Sequence, residues 1–218
     1  MNIGVLGGTG KEGSGLAYRW ALAGHEVVIG SRDAGKASAS AAELNQLLGG
    51  KALVHGASNL QAAQAAVVVL TVPFAAQLAT AESVAAQLAG KILIDVTVPL
   101  APPKVDRVQL PRGESAVVAL QRRLGAAVKV VSAFQNVSAL HLKDVAHDID
   151  CDVLVCGDDA DACEVVIGLA HDAGLRAWHA GVLANSVASE ALTSVLIAIN
   201  KRYKVAGSGI RITGVPAK

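Results

Sequence analysis

Asn2-Ile3-Gly4-Val5-Leu6-Gly7-Gly8-Thr9-Gly10-Lys11-Glu12-Gly13 opens the chain, and the reading of this stretch decides the fold. An apolar run of strand length ends in glycines that fit G-x-G-x-x-G at Gly8, Gly10 and Gly13, and a helical pattern then runs through Leu22. A glycine loop between a strand and a helix is the context in which that pattern signals a dinucleotide site. Gly8 is expected to permit the tight turn, Gly10 to let the backbone approach a pyrophosphate, and Gly13 to let helix and strand pack closely. The helix N-terminus offers unpaired N–H groups and a partial positive charge to the diphosphate. Glu12 would face a phosphate unfavourably, so it is expected to point outward.

The second strand, Glu26–Ile29, begins after Gly24 stops the first helix. NAD-binding folds usually carry an acidic residue at the end of this strand for the ribose hydroxyls. Here the strand ends Ile29-Gly30-Ser31-Arg32, without a carboxylate at its tip. Ser31 and Arg32 suit a 2′-phosphate, and Lys36 adds a second cation one helical turn on. Asp33 reads as the N-cap of the next helix, which occupies its oxygens. These residues favour NADP over NAD.

Further along, helix alternates with strand. Helical segments run to about Leu48, near Leu60–Ala65 and over Ala75–Leu88, with strands at Ala66–Val72 and Lys91–Val96. Val98–Arg112, with Pro99, Pro102, Pro103 and Pro111, reads as an extended loop. A helix at Ser115–Leu124, a strand at Lys129–Ser132, and strands at Asp152–Cys156 and Leu175–His179 around a helix at Ala160–Ala173 complete the series. This order predicts an α/β, Rossmann-type doubly wound parallel sheet. A small C-terminal helical cap, Leu183–Tyr203 with its tail, completes it. Residues 1–180 are expected to form the NADP-binding domain, and residues 181–218 to complete a pocket for a second ligand.

Composition narrows the classes. Of 218 residues, 52% are hydrophobic but only 3% aromatic and 17% charged, with net charge +1. A near-neutral chain without a basic stripe excludes nucleic acid as the expected partner. The most apolar stretch, Ala62–Ala76, is broken by Gln64, Thr71 and Pro73 and is shorter than the roughly 20 residues of a membrane span. No basic leader or cleavage site precedes the first strand. Cys151, Cys156 and Cys163 are odd in number and outside zinc-like spacing, which suits reduced structural thiols. A soluble, cytoplasmic protein without a membrane partner is expected. His25, His55 (read as lying in a loop), His141, His147, His171 and His179 form no catalytic set and no metal spacing, so no metal is expected. Ser132, Ser138 and Ser186 lack the strained strand-to-helix elbow of a hydrolase. The last helix carries Val187, Ala191, Leu192, Val195, Leu196 and Ile199 around much of its girth. Such a helix needs cover from several sides, which predicts a homodimer.

Several blocks together resemble the NADPH-dependent reductases of the 8-hydroxy-5-deazaflavin coenzyme F-420 (F420). They are Gly7-Gly8-Thr9-Gly10, Gly24-His25-Glu26-Val27-Val28-Ile29-Gly30-Ser31-Arg32, Leu70-Thr71-Val72-Pro73 and Lys129-Val130-Val131-Ser132-Ala133. Val155-Cys156-Gly157-Asp158-Asp159, Ala180-Gly181-Val182-Leu183-Ala184-Asn185-Ser186 and Gly209-Ile210-Arg211-Ile212 continue the match across essentially the whole chain. At Gln135 the chain departs from a histidine of the archaeal members. The resemblance implies hydride transfer between NADP(H) and F420 as co-substrate. It puts Gly8, Thr9, Gly10, Lys11 and Glu12 at the diphosphate, Ser31, Arg32 and Lys36 at the 2′-phosphate, and Val72 and Pro73 beside the nicotinamide ribose. Val98, Pro99, Ala133, Phe134, Val137 and Asn185 would border the deazaflavin. No catalytic side chain is expected, because the two rings carry the chemistry and the protein supplies their apposition. Reduction of another acceptor (flavin, ferric ion or an imine) and NADPH sensing without turnover are the alternative readings of the residues.

Overall fold

The computed structural model describes residues 1–110 and 114–215. Eight strands among them form one sheet in the order β3-β2-β1-β4-β5-β6-β7-β8. They are β1 Asn2–Leu6, β2 Glu26–Ser31, β3 Val54–Ser58, β4 Val67–Leu70, β5 Ile92–Asp95, β6 Lys129–Ser132, β7 Asp152–Gly157 and β8 Arg176–His179. The helices are α1 Lys11–Leu22, α2 Ala34–Leu47, α3 Asn59–Ala62, α4 Phe74–Ser83, α5 Ala85–Leu88, α6 Ala116–Leu124, α7 Ala160–Asp172 and α8 Ser186–Tyr203. The order reverses between β1 and β4, which opens a crevice at their C-terminal ends, the usual ligand position of such sheets.

Strand periodicity divides the interior into two layers. Val67 and Val69 of β4 join Leu16, Trp20, Leu44 and Leu169 on the face covered by α1, α2 and α7. Val68 and Leu70 join Ala62, Ala81, Leu88 and Leu120 on the face covered by α3 to α6. Branched aliphatic strands buried on both faces are what a doubly wound sheet requires.

Three features differ from the sequence expectation. His55 lies on β3 and not in a loop, paired beside β2 at the sheet edge. The Ala75–Leu88 helix is interrupted at Val84, whose non-helical φ of −124° and ψ of 12° separate α4 from α5. The sheet is parallel from β3 to β6, but β7 runs antiparallel to β6, pairing Val131 with Gly157 and Ser132 with Cys156. An antiparallel partner needs no crossover helix. The chain between β6 and β7, residues 133–151, therefore folds irregularly at the C-terminal edge of the sheet. The Val98–Arg112 loop is irregular through Leu110, and Pro111 and Arg112 lie outside the described residues.

The 133–151 segment is tied down by a buried cation. Arg19 of α1 donates to the carbonyls of Leu142 (2.7 Å), Ala173 (3.0 Å), Asp144 (3.2 Å) and His141 (3.3 Å). Helix α8 docks through polar residues: Ser186, Ser189, Glu190 and Ser194 are buried. Glu190 accepts from Ser115 Oγ (2.7 Å) and from the N–H groups of Ala116 (2.8 Å) and Val117 (3.1 Å), so it serves the N-terminus of α6. The two aspartates that follow β7 make structural contacts. Asp159 caps α7 through Ala162 N (2.8 Å), and Asp158 receives the N–H of Leu183 (2.9 Å). The three cysteines are buried and free, as read from the sequence.

Arg19→Met should orphan several buried carbonyls at once and lower stability by at least ~2 kcal/mol in urea denaturation. A loss below ~0.5 kcal/mol would contradict the anchoring role, being what a substitution at an uninvolved surface site costs.

Candidate functional site

The glycine loop sits at the β1/β4 reversal; Gly13 packs as expected, and the difference from the expectation lies at Gly8. The positive φ, 72°, falls on Gly7. Gly8 is held by packing: a Cβ there would lie 2.9 Å from the carbonyl oxygen of Val5. A Cβ on Gly13 would meet Thr71 Oγ1 at 2.4 Å and Gly8 Cα at 2.8 Å, so close helix–strand approach is the constraint at that position. Gly10 is different. A Cβ there would find only Gly7 O, at 3.6 Å, so the chain's own packing does not demand glycine. Gly10 also caps α1 without a side-chain hydrogen bond, leaving the first-turn N–H groups open to an anion. Thr9, Lys11 and Ser14 line a cavity of about 330 Å³ with Ala139, Leu140 and Lys143 of the 133–151 segment. Lys143, which the sequence reading passed over, ion-pairs with Glu43 at 3.1 Å.

Val72 and Pro73 follow β4 after Thr71, and Val72 Cγ1 would lie 2.5 Å from a Cβ on Gly7. The structure thus brings Val72 against the glycine loop. At the end of β2, Asp33 Oδ1 accepts from Lys36 N at 3.1 Å, confirming its capping role. Ser31 Oγ accepts from Asp33 N at 3.2 Å and keeps its own hydroxyl proton for donation. Arg32 and Lys36 are exposed, and their side chains make no hydrogen bond or ion pair among the described residues.

The residues read as an acceptor pocket behave less uniformly. Val98 is half-buried and Pro99 buried. Ala133, Phe134 and Val137 belong to the hydrophobic core, Val137 being 7% exposed. They pack as core, and Ala133 and Phe134 are wholly inaccessible. Phe134 has a φ of 71°, a strained conformation for a side-chain-bearing residue, held by edge-on packing on Trp20 at 6.0 Å. Asn185 is exposed, and its Nδ2 turns back to the carbonyl of Ala180 at 2.8 Å. Between Phe134 and Val137 the structure exposes a residue the sequence reading did not select. Gln135 is buried, and its Nε2 donates to Asp95 O and Ser132 Oγ, both at 2.8 Å. Its Oε1 has no partner among the described residues. The departure from a histidine at this position of the archaeal relatives was the available signal.

Two carboxyls complete the edge. Asp95, at the end of β5, is fully buried and accepts from Thr97 N (2.9 Å) and Gln77 Nε2 (2.5 Å). Burial pushes it up to about 7 despite these hydrogen bonds. Glu12 is half-buried and does not point outward as expected. Burial first, and the charge of Asp95 second, push its carboxyl up to about 8. A carboxyl that keeps its proton at neutral pH can stand beside an anion without repelling it.

Comparison with known proteins gives concordant results. Residues 2–99 match the family described as NADP oxidoreductase, coenzyme F420-dependent. The chain is 44% identical to the F420-dependent NADP reductase of Methanothermobacter thermautotrophicus, over 99% of this chain and 96% of that one. It is 41% identical to the protein of the same name from Methanocaldococcus jannaschii, over 99% of each. A crystal structure from Arthrobacter sp. fb24, described as an F420-dependent NADP reductase, superposes with a TM-score of 0.80 at 30% identity, covering 97% of this chain and 98% of that one.

The titration of Glu12 has a measurable consequence. Its carboxyl holds a proton to about pH 8 when folded but releases it near its ordinary 4.5 when unfolded. The native state therefore binds more protons between these values, and stability falls as pH rises through that window. Glu12→Gln removes this dependence, so the variant should gain on the wild type in urea denaturation as pH rises from about 5 to 8. Parallel pH profiles would contradict the inward placement.

Proposed function

The chain belongs to the F420-dependent NADP reductase family, and we propose that it moves a hydride between NADP(H) and coenzyme F420 at the C-terminal edge of the sheet. The observation that carries this reading is the pairing of an open helix N-terminus at Gly10 with two unpartnered cations, Arg32 and Lys36, at the end of β2. These are the two anion sites that a phosphorylated dinucleotide needs, one for its diphosphate and one for its 2′-phosphate. When bound, the nicotinamide supplies a hydride donor or acceptor at C4 and the deazaflavin its counterpart at C5.

The chain's residues bind and orient. First-turn N–H groups of α1, with Thr9 and Lys11, take the diphosphate, and neutral Glu12 leaves that charge unopposed. The Ser31 hydroxyl and the Arg32 and Lys36 side chains take the 2′-phosphate. Val72 and Pro73 edge the nicotinamide ribose. Val98, Pro99 and the Ala133–Val137 segment border the deazaflavin, where N–H groups of the segment other than those of Ala133 and Val137, which are already paired, stabilise the charge that reduction leaves on the ring. The orphan Gln135 Oε1 asks for an N–H donor, and the pyrimidine portion of a deazaflavin offers one. Asn185 reaches the same ring only by releasing Ala180. Hydride transfer needs the reacting carbons about 3–3.5 Å apart, so positioning by these groups is the catalytic contribution.

Helix α8 supports a homodimer. Its buried face is largely serine, while Val195 and Ile199 are 45% and 37% exposed. Leu183–Tyr203 is long and apolar enough to cross a membrane by length and composition alone. Its buried Glu190, which serves α6, favours a docked helix covered by a second subunit of a soluble, cytoplasmic enzyme.

Purified protein should oxidise NADPH when F420 is added, and much more slowly with free flavin or ferric chelate. Equal or faster turnover of the latter would transfer the assignment to another acceptor. Arg32→Ala should weaken NADPH at least tenfold, about 1.4 kcal/mol, with NADH nearly unchanged. Equal losses for both would remove Arg32 from the 2′-phosphate site. Light scattering at micromolar concentration should give twice the 22.1 kDa chain mass. A Val195→Glu/Ile199→Glu variant should give the monomer mass, and a monomeric wild type would refute the dimer.

A further inference from the structure

The sequence His141-Leu142-Lys143-Asp144-Val145-Ala146-His147 shows no familiar metal motif, yet it folds into one. Two successive turns, closed by Asp144 N to His141 O (3.1 Å) and His147 N to Asp144 O (3.2 Å), give the segment a three-residue period. Residues 141, 144 and 147 therefore eclipse on one side. The two imidazoles stack at 3.9 Å between centroids with 17° between planes. One donor atom from each of His141, Asp144 and His147 lies within 4.8 Å of the others.

We propose that His141, Asp144 and His147 form a binding site for a divalent transition ion of the zinc class. Two imidazoles and one carboxylate match the borderline preference of Zn²⁺ and its neighbours, and not the all-oxygen shells of Ca²⁺ and Mg²⁺. Ligands about 2.0–2.2 Å from a tetrahedral ion stand about 3.4 Å apart. The donor atoms must close by up to about 1.4 Å and the rings must leave their parallel stack, since a ring nitrogen's lone pair lies in its ring plane; exposed Asp144 and His147 achieve both by side-chain rotation. The backbone is already fixed, because Arg19 holds the carbonyls of His141 and Asp144 from the buried side. Asp148, whose charge also reaches Arg19, adds negative charge to the segment. Asp144 and His147 are exposed and His141 is partly so, which gives the ion a route in, and water fills its remaining positions.

The site is independent of the hydride-transfer reading, since none of its three residues takes part in binding NADP or F420. It is nonetheless next to that machinery. Leu140, just before these turns, and Lys143, within them, line the cavity shared with Thr9 and Lys11. An ion at this position would brace one wall of that cavity, a structural role and not a catalytic one.

The test uses the full chain after chelator treatment, titrated calorimetrically with ZnCl₂ beside His147→Gln, Asp144→Asn and the His141→Gln/His147→Gln double variant. The wild type should bind one ion with a micromolar or tighter dissociation constant and unfold at a higher temperature with zinc present. Each single variant should bind at least tenfold more weakly, the lower range for loss of a contributor to a metal site. The double variant should lose both the binding and the thermal shift, with metal-free circular dichroism matching the wild type. Co²⁺ should give a visible ligand-field band with the wild type and none with the double variant. No binding by the wild type, or undiminished binding by the double variant, would overturn the proposal, the latter because the ion would then sit on His25, His55, His171 or His179.

Discussion

The start of helix α1 can approach the sheet as closely as it does only because a side chain is missing there. A Cβ on Gly13 would stand 2.4 Å from Thr71 Oγ1, and one on Gly8 would stand 2.9 Å from the carbonyl of Val5. On the other face, a Cβ on Gly4 would strike the carbonyl of Ala62 at 1.9 Å, so α3 packs against β1 under the same constraint. Because α1 is seated this deeply, its N-terminus opens over the β1/β4 reversal. Because the same helix carries Arg19, the irregular chain after β6 is drawn to that edge as well. One steric condition thus sets both the anion site and the segment that closes it.

Charge at this edge is managed by burial and not by pairing. Glu12 and Asp95 have no basic side chain among their hydrogen-bond partners, and desolvation keeps both carboxyls protonated to about neutral pH or above. The cations remain at the periphery: Arg32 and Lys36 stay in solvent, and Lys143 is shared with Glu43. The edge is therefore apolar where flat rings would meet and positive where phosphates would lie. This division suits a reaction that needs apposition more than acid–base catalysis.

What sequence makes legible is local, and what it conceals is tertiary. β1, α1 and the Asp33 cap each follow from contiguous residues with a single reading, and each stands in the structure. β3 was concealed because His55-Gly56-Ala57-Ser58 lacks β-branched residues, and it forms as an edge strand beside β2. The antiparallel turn into β7 depends on the path of residues 133–151, which carry no periodic pattern. Within the site, the glycine loop and the end of β2 were readable by position. The inward turn of Glu12, the core placement of Val137 and the orphan oxygen of Gln135 depend on neighbours distant in sequence. The grouping of His141, Asp144 and His147 needed the turn geometry as well as the spacing.

Two rings that meet face to face at the C-terminal edge would exchange a hydride without passing it through water. The fate of isotope from NADPH deuterated at the transferred C4 position, followed by mass spectrometry of the deazaflavin product, tests this. One deuterium at C5 of reduced F420 is expected, with none lost to solvent. Deuterium released to water, or a reduced deazaflavin that takes its C5 hydrogen from solvent, would contradict it.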